Sequence, residues 1–380
     1  MQTLFLALFV SYVVAMAIVR LQRLHLPYTG DEHSSARQKY HHGVVPRVGG
    51  VAVALGCGAA LAWSGWRGLV GIESGWLLIA VGPAFAAGLW EDLTKRVGPM
   101  ARLLATLAAG VLGAWLLQVQ LTHVDIGWLD AWLGWQPVQD WAIAPLGLLL
   151  TVIGVAGLSN AINIIDGFHG LSAAVSILMF IALGYVGWAV GDALVVQVSL
   201  AMAGALLGFL VWNFPRGLIF LGDGGAYLTG FVLAQTGVLL TVRNPEVSAW
   251  FVLLVCAYPV TETLFSIYRK LLVRNVSPAM PDGLHLHMLV YRRLLRWAAG
   301  PAAARDVTRR NAATSPYLWA LSSLSVMPAV LLWRWPWALQ ACTALYAAVY
   351  VLLYRRLVRF RSPVWLRRSV GAGSQPDSSR

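Results

Sequence analysis

Charge is what this sequence is short of. Only 12% of its 380 residues are Asp, Glu, Lys or Arg, while 58% are hydrophobic. A water-facing domain carries about a quarter charged residues, so the shortage excludes a soluble globular protein and points to a surface that faces hydrocarbon. Cysteine is scarce as well. Cys57, Cys256 and Cys342 all lie inside apolar stretches, which excludes a disulfide framework or a cysteine zinc site and leaves helix packing. No Lys or Arg precedes the first apolar run, so the basic start of a cleaved leader is missing, although Ala15-Met16-Ala17 imitates a cleavage site. The run reads as a first membrane span. The basic residues are not gathered on one module, so the net charge of +12 does not indicate a nucleic-acid partner. No internal repeat of fixed period is evident.

What is present is a series of long apolar runs. Crossing ~30 Å of lipid takes roughly 20 helical residues. Eleven windows qualify: 2–19, 48–65, 76–90, 103–120, 142–158, 171–190, 194–212, 225–242, 249–268, 316–333 and 338–354. Alternating the intervening loops between two sides places 25 of the 28 Lys and Arg on one side and leaves Arg67, Arg243 and Arg334 on the other. That asymmetry marks the first side as cytoplasmic. The expected fold is therefore all-α, a polytopic membrane protein of about eleven spans with a periplasmic N-terminus and a cytoplasmic C-terminus. Residues 1–360 form the membrane domain and 361–380 a basic tail, rich in Gly, Ser and Pro from Ser369 onward and expected to be disordered. The Trp-rich segment Leu121–Trp141 is expected on the outer side, its rings at the lipid–water interface.

Acids near spans are costly and usually face a water-filled site, so the sixteen Asp and Glu residues carry most of the information. Glu91-Asp92 end the third run, followed by Lys95-Arg96; paired carboxylates suit a hard cation and nearby cations suit phosphate, although a solvated helix end explains them too. In Asn160-Ala161-Ile162-Asn163-Ile164-Ile165-Asp166-Gly167-Phe168-His169-Gly170, two amides and an acid recur three apart, on one face of a helical turn. No cation lies near in sequence to neutralise Asp166, so a metal or ligand is the expected partner, with a polar helix cap as the plain alternative. Asp223 sits in Gly222-Asp223-Gly224-Gly225, where glycine allows close backbone approach and the acid offers a hard oxygen, or merely an N-cap. His285 and His287 alternate in Pro281-Asp282-Gly283-Leu284-His285-Leu286-His287, ahead of Arg292 and Arg293. Without further ligands, phosphate binding fits better than zinc. Lys39, His41 and Arg47 precede the second run, where positive-inside charge alone would also put cations. All five stretches fall on the cytoplasmic side of the topology. Acids, cations and glycines on one face describe a site for a nucleotide-like anion at the membrane surface.

These stretches, in this order from Gln38 to His287, resemble the polyprenyl-phosphate N-acetylhexosamine-1-phosphate transferases, which include the phospho-MurNAc-pentapeptide translocase of peptidoglycan synthesis. The most specific matches are Asn160–Gly170 and Phe220–Gly225. The resemblance implies transfer of a sugar phosphate from a UDP-sugar to a polyprenyl phosphate such as undecaprenyl phosphate, with release of UMP and with Mg²⁺ as cofactor, Mn²⁺ being an alternative. It implies a bacterial inner-membrane enzyme embedded in the lipid bilayer, with its site facing the cytoplasm. A homodimer is compatible with such a protein. By the same resemblance Asp92, Asp166 and Glu91 are the expected catalytic residues, and Asp223, with Asp92, the expected metal ligands. Lys39, His41, Arg47, Lys95, Asn160, Asn163, His169, His285 and His287 are the expected substrate-binding residues. Glu91 stands where the family usually has aspartate, and His169 where an acid or amide is common. Leu286 interrupts the histidine triplet of the peptidoglycan branch, and Pro46-Arg47-Val48-Gly49-Gly50 also looks like the other branch, which starts O-antigen, capsule or other surface glycans.

A secondary transporter with ion-coupling acids is the rival from another class. It would place polar or broken spans near the midplane, whereas only Glu262 lies well inside an expected span. A non-catalytic scaffold would leave the glycine-flanked acids unexplained.

Overall fold

The structure is a computed structural model that describes residues 1–31, 44–133, 145–277, 283–294 and 307–359. In chain order its helices are α1 (Gln2–Arg20), α2 (Gln22–Thr29), α3 (Gly49–Trp66), α4 (Glu73–Ala80), α5 (Gly82–Thr94) and α6 (Pro99–Leu117). They continue with α7 (Gly127–Leu133), α8 (Pro145–Ile165), α9 (Leu171–Ala189), α10 (Ala193–Asn213) and α11 (Gly222–Arg243). The last are α12 (Ala249–Val255), α13 (Ala257–Tyr268), α14 (Leu286–Leu289), α15 (Val307–Leu332) and α16 (Pro336–Arg359). Short π-helical turns follow α13 and α14. Two two-residue strands, β1 (Gly30–Asp31) and β2 (Val45–Pro46), pair antiparallel.

The protein is an all-α multi-pass membrane protein. Among the described residues ten helical segments are long and apolar enough to span, and the pair α12–α13, bent by 77°, makes an eleventh. The break falls at Cys256, inside an apolar run that composition alone shows as continuous. Other boundaries move for a common reason: a hydropathy window stops at the first polar residue, but a helix continues if that residue finds partners. α8 runs on to Ile165, carrying Asn160 and Asn163 in its last turns. α11 begins at Gly222, so Asp223 lies within its first turn. α15 starts at Val307, through Arg309 and Arg310. The expected 361–380 tail lies outside the described residues.

α11 is the axis of the bundle. Every residue from Gly222 to Thr241 is buried, packed by α3, α5, α8 and α9. Lipid supplies no hydrophobic drive between helices, so close van der Waals contact of small residues must. At Gly50 and Gly88 the backbones of α3 and α5 touch that of α11 at Gly225 and Gly224, and an added Cβ at either would overlap main-chain atoms. The first turn of α11 is thereby wedged between two other helices.

Candidate active site

The segment before α11 is laced to the start of α3. Phe220 N–H donates to Pro46 C=O at 2.9 Å, Gly49 N–H to Phe220 C=O at 2.9 Å, and Gly50 N–H to Leu221 C=O at 2.8 Å. Gly222 turns the chain with φ +76°, where a side chain would be strained and would collide with Arg47 C=O and the Asp92 carboxylate. This lacing carries Arg47 over the mouth of α11.

Asp92, only 1% exposed at the end of α5, supplies the helix cap from outside. One of its oxygens accepts the N–H of Asp223 and the other that of Gly224, each at 2.9 Å. Two of the N–H groups that open a helix without partners are satisfied, and a negative charge meets the positive end of the helix dipole. Both oxygens of Asp92 thereby position Asp223, a task that the sequence did not reveal.

Asp223 is the point of convergence. Its Oδ1 accepts from Asn163 Nδ2 at 3.0 Å and from Arg47 Nη2 at 3.2 Å, and its Oδ2 pairs with Arg102. Arg47 also lies 3.6 Å from Asp92. Asp166 follows α8 directly and accepts the Ser172 hydroxyl. Burial pushes its carboxyl up to about 6, with the charge of Asp223 adding to the rise, while the Ser172 hydrogen bond and Arg47 oppose it.

The other expected residues are placed as follows. Glu91 accepts the N–H of Val97 at 2.7 Å, which closes the turn after α5 and does not point to catalysis. Lys95 donates to Gly30 C=O at 2.6 Å and so ties α5 to the β1–β2 hairpin. Asn160, one turn deeper than Asn163, donates to Ala156 C=O at 2.8 Å and to Thr106 of α6 at 3.1 Å. His169 is buried: its ring lies against Phe220 and bonds Pro215 C=O at 3.1 Å, while its own N–H and C=O meet Asn311 and Ser315. It fastens α15 to the loop after Asp166. His287 is fully buried against Phe168 and Gly167. His285 stacks on it, centroids 5.3 Å apart, and bonds Glu262. Lys39 and His41 lie outside the described residues.

Sequence reasoning missed Arg102, which it counted only toward orientation. The signal was there: a cation in the first turn of an otherwise apolar α6. It also noted Glu262 without giving it a task.

No group of three or more His, Cys, Asp or Glu side chains able to hold a metal exists among the described residues. Zinc would need one, but Mg²⁺ is usually held by one or two carboxylates together with substrate phosphates and water. Asp223 and the adjoining Asp92 offer carboxylate oxygens of that kind, so the residues fit. An apolar cavity of about 410 Å³ opens between α8, α11 and the broken pair α12–α13, lined by Gly154, Leu158, Ala161, Val238, Leu253 and Val260 among others. Ala161 brings that cavity within two residues of Asn163.

The family model for glycosyl transferase family 4 matches residues 75–241, the stretch that holds Asp92, Arg102, Asn163, Asp166 and Asp223. That stretch is similar to glycosyl transferase family 4. The chain is 25% identical over 284 residues to a Bacillus subtilis protein named "probable undecaprenyl-phosphate N-acetylglucosaminyl 1-phosphate transferase", covering 74% of this chain and 75% of that one. It is 27% identical over 267 residues to the Escherichia coli K12 protein named undecaprenyl-phosphate alpha-N-acetylglucosaminyl 1-phosphate transferase, covering 67% of each. A Thermotoga maritima protein of the same name is 30% identical over 146 residues, 38% of this chain and 44% of that one. The family match leaves His285, His287 and Glu262 outside its limits.

Proposed function

We propose that this protein is a member of glycosyl transferase family 4 that transfers a sugar 1-phosphate, of N-acetylhexosamine type, from a UDP-sugar to undecaprenyl phosphate, giving undecaprenyl-diphospho-sugar and UMP. The step would begin a cell-surface polysaccharide such as O-antigen or capsule, at the cytoplasmic face of a bacterial inner membrane. The observation that carries the reading is the convergence of Arg47, Arg102 and Asn163 on Asp223. The names of the relatives support the same chemistry.

Two anions must meet in this reaction, and they repel unless their charge is neutralised. Arg47 and Arg102 offer planar donors that match phosphate oxygens. Asp223, with Asp92 beside it, would hold Mg²⁺, which when bound neutralises pyrophosphate charge and the charge gathering on departing UMP. The cavity between α8 and the broken pair suits the prenyl chain, so the acceptor phosphate would arrive from the lipid side with its tail still in an apolar setting. Asp166, titrating near 6, is matched to the second ionisation of a phosphate, which also lies near 6, and would take the acceptor's proton when one is present. Asp92 keeps Asp223 in place throughout. The broken span is the one feature a secondary transporter would share, but its buried acid Glu262 faces His285 and not an open pathway.

The test is UMP release by the protein purified in detergent, given undecaprenyl phosphate, Mg²⁺ and a panel of UDP-sugars. Asp223→Ala and EDTA should each remove the activity, a loss on the order of 10³-fold or more if Asp223 stabilises the transition state. Folded protein that releases no UMP from any UDP-sugar would refute the reading.

A further inference from the structure

Glu262 is a fully enclosed acid that the transfer chemistry above does not use. It lies on α13, just past the break in the span, and is 1% exposed. Both of its oxygens face the backbone N–H of Leu286, at 3.1 and 3.2 Å, and Oε1 also meets His285 Nδ1 at 2.9 Å. Three buried tyrosines, Tyr258 of α13 and Tyr346 and Tyr350 of α16, close around it near enough to feel its charge. The residue before His285 is anchored as well, for Leu284 C=O accepts from Arg269 and from Tyr354, each at 3.0 Å. The histidine segment is therefore fixed on both sides of His285, and Glu262 is the only one of these anchors that touches the imidazole.

We infer that Glu262 is a positioning residue for the transfer: it fixes the proton of His285 on Nδ1 and leaves Nε2 to act on the substrate phosphate. A carboxylate that already takes a backbone N–H is an acceptor, so the ring nitrogen facing it carries hydrogen. Among the described residues Nε2 has no partner. The ring lies parallel to that of His287, 12° between planes, and His287 in turn packs on Gly167 and Phe168, directly after Asp166. Glu262 thus sets both the tautomer and the place of the His285 imidazole, much as outer carboxylates orient histidines in metal sites. The inference rests on the transferase reading for what Nε2 touches, but not for the tautomer itself.

Two measurements on the full-length protein keep these apart. In ¹⁵N NMR of histidine-labelled protein, His285, assigned by its disappearance in His285→Ala, should show hydrogen on Nδ1, and Glu262→Gln should shift that signature. An unshifted signature, or hydrogen on Nε2 in the wild type, overturns the inference whether or not the protein is a transferase. In the UMP-release assay Glu262→Gln should lower kcat/KM about 10–100-fold. The double variant with His285→Ala should be no slower than His285→Ala alone, because a group acting through His285 has nothing left to position. Losses that multiply would mean that Glu262 serves only the fold. Should Glu262→Gln not fold, Glu262→Asp replaces it in both experiments, with an intermediate loss expected and wild-type behaviour in both overturning the inference. A wild type that releases no UMP counts against the transferase reading, and the NMR result then decides on Glu262.

Discussion

At its last turn α11 offers Arg243, whose guanidinium meets one carboxylate, Asp192, at 2.9 Å. At its first turn it offers Asp223, on which two guanidiniums and an amide converge. The two clusters use the same side-chain types at opposite ends of one helix. Asp192 caps α10 through Val195 N–H at 3.2 Å and takes Asn244 Nδ2 at 3.3 Å, so each group has a structural task and the charges pair one for one. A polar cavity of about 350 Å³ lies there, bordered by Glu73, Asp192 and Arg243. At the first turn the charge of Asp92 is met by two N–H groups, and Asp223 alone faces both arginines. Two guanidiniums shared among clustered carboxylates, unlike a single pair, offer donors that an incoming anion can engage. A balanced pair marks the end that holds helices together.

Substitution can break this comparison. Removing a guanidinium at the first turn should cost most: Arg102→Gln is expected to lower kcat/KM about 100-fold, the loss typical of one transition-state donor. Arg243→Gln at the last turn should stay within about twofold, since a half-exposed ion pair contributes little. Equal losses in the UMP-release assay would dissolve the distinction.

The pH profile is a finer probe. Burial holds the Asp166 carboxyl up, so it binds a proton at higher pH than an ordinary aspartate and is mostly protonated below about 6. If it accepts a proton from the acceptor phosphate, the rate should fall as pH drops through about 6. Asp166→Asn should lower kcat about 10²-fold and remove that part of the acid limb. A variant whose acid limb matches the wild type would leave the limb to the phosphate itself. The smallest effect is expected from Asp192→Ala, which removes the α10 cap: stability should drop by about 1 kcal/mol in a denaturation experiment, with UMP release per folded molecule retained.

Much of the fold was legible because spans are written as apolar length, and α1, α3, α6, α9, α10 and α16 follow the windows closely. The break at Cys256 was not, since its surroundings stay apolar on both sides. Asp223 and Asp166 stood out as acids next to glycine at the ends of spans. The capping task of Asp92 was not legible, because its partners, two N–H groups, lie 131 and 132 residues away. Arg102 was hidden by the rule that explains it too easily: any cation on that side also serves orientation. His169, His285 and His287 are all buried, and no local pattern reports it.

The meeting of Gly50 and Gly88 with the first turn of α11 also bears on how such a protein can change over generations. Loops between spans can lengthen and lipid-facing side chains can be exchanged, because nothing packs tightly against them. At this crossing not one methyl group can be added without parting three helices. Variation is free at the periphery and closed at the centre, so a new substrate preference would have to arise from side chains that reach inward over an unchanging main chain.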